Sequence, residues 1–170
     1  MSGFADFLIN HHCPAAFTSA ELIEPDDMFE GSPTSVILNL EAWDGVVWIV
    51  GKLAGATGTA TALVYSCDDT TPTTATAVPF MYRAATTPDT FTAWTAATAS
   101  GVLISAGADQ VWEIAIASSD LYKGTATAPV NDQYVKLQLN EVDSTAVEGS
   151  VQVLLYGPTY GHEIPDTVLT

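Results

Sequence analysis

Three side chains able to ligate a metal stand together near the N-terminus in "NHHCPAAF": His11, His12 and Cys13. Zinc asks for four soft or borderline ligands closed into a tetrahedron. Adjacent residues cannot all point at one centre without strain, so completing such a site would need Cys67 or His162 from elsewhere in the chain. Pro14 restricts Cys13 to extended geometry, which suits a connector. The simpler expectation is a hinge in an N-terminal arm, with free thiols and no metal or cofactor.

Carboxylates occur in pairs, Asp26 with Asp27 and Asp68 with Asp69. A glycosidase pair is defined by its separation in space, which adjacency in sequence does not report. Aspartates flanked by Thr, Pro and Gly are expected in turns, where they accept nearby backbone N–H groups. No G-x-S-x-G, H-E-x-x-H or C-x-x-C pattern occurs, and "GKLAGATG" orders its Gly and Lys wrongly for a phosphate loop. The expectation is a chain that is not an enzyme.

The elements that would position these residues are strands. From Thr34 onward the hydrophobic period is two. "QVWEIAIA" sends Trp112, Ile114 and Ile116 one way; "YVKLQLNE" and "SVQVLLYG" repeat the pattern. "SVILNLE", "TATALVYSC", "FMYRA", "DTFTAWTA" and "GVLIS" read as further strands, and "DDTTPTTATAVP" as a loop. "VVWIVGKL" is apolar on both faces and is expected at the centre of a sheet. "SSDLYKG" reads as a single helical turn crossing one end. The predicted fold is all-β: an antiparallel β-sandwich or jelly roll of about eight strands spanning residues 34–170.

Residues 1–33 read differently, as an extended arm with short helical turns. Phe4, Phe7 and Leu8 share a helical face, Thr18 to Glu21 fits a capping box, and "EPDDMFEG" fits a turn closed by Gly31. Exposed aromatics on an arm need a partner, so Phe4, Phe7, Leu8 and Phe17 are expected as anchors, with Met28 and Phe29 as a second anchor. Deleting residues 1–33 is then expected to leave the body folded. Of the four tryptophans, Trp48 and Trp112 belong in the core by their apolar strands, while Trp43 and Trp94 are the candidates for exposure.

Composition narrows the partners. Twenty acidic residues against four basic ones give a formal charge of −16, which repels nucleic acid and anionic membranes and favours solubility or a basic partner. No apolar run approaches the roughly 20 residues that span a bilayer. The N-terminus lacks the basic start of a secretory signal, so assembly inside a cell is expected.

The succession "IVGKLAGATGTATALVYSCDD", "DTFTAW", "ASGVLISAGADQVWEIAIASSDL", "QYVKLQLNEVD" and "VQVLLYGPTYGHE" resembles the small all-β virion proteins of tailed bacteriophages, over about residues 45–161. The resemblance implies a structural role. Its expected form is a head decoration or cement protein, trimeric or dimeric, whose arms reach the major capsid protein on the virion surface after assembly in the host cytoplasm. A carbohydrate-binding or adhesin module of a tail or secreted protein is the alternative from another class.

Overall fold

The computed structural model describes residues 27–53, 57–87, 90–125, 128–129 and 132–158, together with the backbone of residues 12–13. The strands are β1 (His12–Cys13), β2 (Leu38–Asn39), β3 (Trp43–Lys52), β4 (Ala60–Cys67), β5 (Ala75–Val78), β6 (Phe80–Ala85) and β7 (Thr95–Ala97). They continue with β8 (Val102–Ile104), β9 (Gln110–Ala117), β10 (Gly124–Thr125), β11 (Ala128–Pro129), β12 (Tyr134–Glu141) and β13 (Gly149–Pro158). All named pairings are antiparallel.

One six-stranded sheet runs β1-β13-β3-β9-β6-β7, and a second runs β2-β12-β4-β5, with β8 continuing the β5 edge of β4. β10 and β11 form a separate two-stranded hairpin. The consecutive pairs β3/β4, β5/β6, β8/β9 and β12/β13 each pass from one sheet to the other. The sheets therefore lie face to face as a sandwich. Between β5 and β6 only Pro79 intervenes, so these strands meet at one flank of the sandwich.

Period-two alternation builds the core. Val46, Trp48 and Val50 of β3, Trp112, Ile114 and Ile116 of β9, and Leu137 and Leu139 of β12 are buried in one cluster spanning both sheets. At roughly 1.5–3 kcal/mol per buried large apolar side chain, this cluster is the main source of stability. β3 lies between β13 and β9, the central place its two apolar faces required.

The turn from β7 to β8 closes on a Thr98–Gly101 bridge. Gly101 has φ +84°, and a Cβ there would run into the Ala62 carbonyl of β4, so only glycine suits this corner.

Several expectations shift. "SVILNLE" is a strand only at Leu38–Asn39, with bridges at Ser35 and at the preceding Thr34, the latter to Gln138. Within "DTFTAWTA" only Thr95–Ala97 is a strand, and the supposed loop "DDTTPTTATAVP" ends in β5. The turn in "SSDLYKG" is present as a 3-10 helix over Ser118–Asp120, which seats Leu121 in the core.

The boundary placed at residue 33 moves earlier. Met28 N donates to Val147 O at 2.6 Å, Leu139 N to Pro33 O at 3.0 Å, and Glu141 N to Ser32 Oγ at 3.2 Å. Asp27 Oδ1 accepts from Phe29 N and Val147 N, and Ser32 N donates to Phe29 O, with Gly31 at φ +71°. This is a hydrogen-bonded turn rather than a helix, and it is part of the body. Phe29 is fully buried and Met28 is 4% exposed. They anchor this segment to the chain's own core and are not available as partner anchors. Phe4, Phe7, Leu8 and Phe17 lie outside the described residues.

Candidate interaction surface

Among the described residues, the acids and the thiol singled out from sequence take part in local structure. Asp27 serves two backbone amides, Asp69 accepts from Thr71 N at 2.6 Å, and Asp68 accepts from the Thr73 hydroxyl at 3.0 Å. Asp27, Asp68 and Asp69 therefore do the turn work expected of them, while Asp26 lies outside the described residues. Cys67 is buried. Burial, reinforced by the charges of Asp132, Asp68 and Asp69 and opposed by Lys136, pushes its thiol up to about 11. Among the described residues no cluster of three or more His, Cys, Asp and Glu could hold a metal ion. His11 and His162 lie outside them, and only the backbone of His12 and Cys13 is described: it pairs with Leu154 and Val153 of β13. That places Cys13 in the sheet opposite the one carrying Cys67.

A depression of about 300 Å³ lies at one end of the sandwich, lined by Leu40, Glu41, Ser118, Lys123 and Asp132. Of its two acids Asp132 is already engaged: Ser66 Oγ donates to Asp132 Oδ2 at 2.9 Å and accepts from Tyr122 N at 3.0 Å. The buried cation Lys52 is likewise satisfied, donating to Gly58 O and Ser105 O at 2.8 Å each. Both arrangements tie loops to strands.

A different kind of site forms on the outer face of the six-stranded sheet. Alternation along β6 sends Phe80 and Ala84 into the core and Met81 and Arg83 outward. Thr92 then clips the following segment back onto β6, its N donating to Ala84 O at 2.9 Å and its Oγ1 accepting from Ala84 N at 3.1 Å. The result sets Phe91 and Trp94 beside the guanidinium of Arg83, whose Cζ lies 4.6 Å from one ring centroid and 4.8 Å from the other.

Arg83 Nε also donates to Glu113 Oε2, 2.6 Å away on the neighbouring strand β9. Each cation–π contact contributes about 0.5–1 kcal/mol at such exposure, and the partly exposed ion pair adds at most about 1 kcal/mol. Met81, Phe91 and Trp94 remain 41%, 40% and 42% exposed. Arg, Trp, Phe and Met on a rigid support are the side chains that concentrate binding energy at protein interfaces.

Trp94 stands exposed, as its less apolar surroundings suggested, whereas Trp43 is half-buried and packs against the core. Met81, Arg83, Phe91 and Glu113 were not singled out from sequence. The available signal was charge: Arg83 is the sole arginine of the chain, and residues 70–108 carry only it and Asp89.

No protein-family profile, curated protein or solved structure matches the chain.

Proposed function

We propose that this chain is a non-enzymatic structural protein of a phage virion, a head decoration or cement protein that binds the capsid exterior and stabilises it. The observation carrying this reading is the exposed Arg83–Phe91–Trp94 cluster, built on a sheet face rather than in a cleft. Such a surface works by burying area against a macromolecule. The sequence resemblance to phage virion proteins supplies the class of macromolecule, with the major capsid protein as partner.

In this reading the acids that give the chain its charge of −16 orient it on a basic lattice surface. Phe4, Phe7, Leu8 and Phe17 supply arm anchors. Reinforcement follows from many copies, each burying modest area across the seams between capsid subunits. The test is to mix the purified full chain with phage capsids stripped of accessory proteins and image them. Ordered, stoichiometric added density supports the role; bare lattices at saturating protein overturn it.

The exposure of Phe91 and Trp94 also favours the second reading, a carbohydrate-binding module, because aromatic faces stack on sugars. Here the guanidinium lies over one face of each ring, so only the opposite faces would serve. Saturable binding on a glycan array, lost in Trp94→Ala, would favour this second reading over the first.

A further inference from the structure

Among the residues whose side chains are described, the outer face of the six-stranded sheet carries only the charges of Arg83 and Glu113, and the edge strand β1 sets His12 in register with Leu154. Strand register aligns Leu154, Val47, Ala115, Met81 and Ala96 in one apolar row across β13, β3, β9, β6 and β7. The row beside it runs Gln152, Ile49, Glu113 and Arg83, and its two charges are bound to each other. The next row is Ser150, Gly51, Val111 and Ala85. The outer face of the other sheet differs in polarity, with Lys136, Gln138 and Asn140 standing in successive rows of β12, whereas the first sheet has Met81, Ile49 and Val47.

We propose that the outer face of the six-stranded sheet, centred on Met81, Arg83, Phe91 and Trp94, is where a second copy of this chain docks. Charge selects that occupant. Residues 70–108, which hold β5 to β8, are net neutral, so the whole −16 lies in the rest of the chain. A basic partner would be drawn to the acidic surfaces. A second copy is repelled by them and can approach closely only where charge is absent or internally paired. An uncharged face bearing three exposed large apolar side chains and a paired arginine meets that requirement. A second copy on this face would leave the acidic surfaces and the arm, rather than the Arg83 cluster, to meet a capsid, so a dimer removes the observation that carries the capsid reading, whereas bare capsids leave this inference intact.

The test is sedimentation of the full chain from about 1 μM to 1 mM, at low and high salt, with circular dichroism confirming that each variant is folded. The expected result is a concentration-dependent dimer that tightens with salt, because screening weakens repulsion between the acidic remainders. Trp94→Asp and Met81→Asp should each weaken dimerisation by at least about tenfold, and Ala96→Asp, a surface change on edge strand β7, serves if either misfolds. Val142→Asp is the control, since Val142 is 60% exposed but lies outside this face and should leave the dimer unchanged. A monomer at every concentration and salt overturns the proposal, and would mean that another segment, such as the chain's own N-terminus, covers the face. A dimer indifferent to all three face variants overturns it equally.

Discussion

Ser66 and Asp132 are joined by a buried hydrogen bond of 2.9 Å between hydroxyl and carboxylate, which links β4 to the segment that leads into β12. The same hydroxyl accepts the Tyr122 N–H at 3.0 Å, so one oxygen holds two connections across 66 and 56 residues of chain. Ser66 is fully buried and Asp132 is 7% exposed.

Ser66→Ala would leave a carboxylate and a backbone N–H without this partner while changing almost no volume. Each of the two unsatisfied groups costs about 1–3 kcal/mol, so denaturant unfolding should show a loss of about 2–6 kcal/mol. Asp132→Asn keeps an acceptor at this position and should cost less. Equal losses in the two variants would mean that the charge, rather than the bond, matters.

The turn over Asp27–Ser32 tests where the body begins. Phe29 is fully buried, and Gly149 leaves room for Met28, whose Sδ a Cβ at that position would strike. Phe29→Ala should therefore cost about 3–5 kcal/mol, the usual price of emptying a buried aromatic site. Removing residues 1–26 should leave a cooperative unfolding transition, whereas removing residues 1–33 should abolish or strongly weaken it. An unaltered transition in the longer deletion would restore the boundary at residue 33.

How much of this was legible in the sequence follows from which forces the pattern records. Most of the long strands were, because β9 and β12 alternate over eight residues, so that Trp112, Ile114 and Ile116 could face only one way, while β3 was marked by being apolar on both faces. Met28 and Phe29 were misread because burial through a turn leaves no periodicity, and the acids around them resembled a solvated arm. β5 was missed for a related reason. Its Ala and Thr side chains are weakly apolar, and its strand geometry comes from pairing with Val64 to Cys67 of β4, a contact the local sequence does not encode. The Arg83 cluster depends on register between β6 and β9 and on the Thr92 clip, both long-range facts. The exposure of Trp94 and the neutrality of its segment within an acidic chain were the parts legible in advance.

Lys52 is 2% exposed, and burial pushes its ammonium below the ordinary 10.5. Between the lowered folded value and 10.5 the unfolded chain holds the proton more tightly than the folded one, so this residue's contribution to stability rises as pH rises through that window. Lys52→Met removes two hydrogen bonds from a charged donor, offset in part by relief of its desolvation, for a net loss of about 1–3 kcal/mol. The stability difference between wild type and Lys52→Met should widen as pH rises toward 10.5. Comparing the two proteins cancels the contribution of Cys67, whose raised pKa acts with the opposite sign between about 9 and about 11. A difference independent of pH would show that Lys52 titrates normally.

Cys67 should be nearly inert to thiol reagents in the native state. In Cys13→Ser it is the sole thiol, so its reaction can be followed without interference. The attacking species is the thiolate, and moving the pKa from the unfolded value near 8.5 to about 11 lowers the thiolate fraction at pH 8 by about two orders of magnitude, before any steric exclusion by the core. Alkylation of the native protein at pH 8 should therefore be at least about 100-fold slower than in denaturant, and its rate should follow global unfolding as denaturant is raised. Fast labelling in the absence of denaturant would mean that the β4 end opens locally, and with it the Ser66–Asp132 link one residue away.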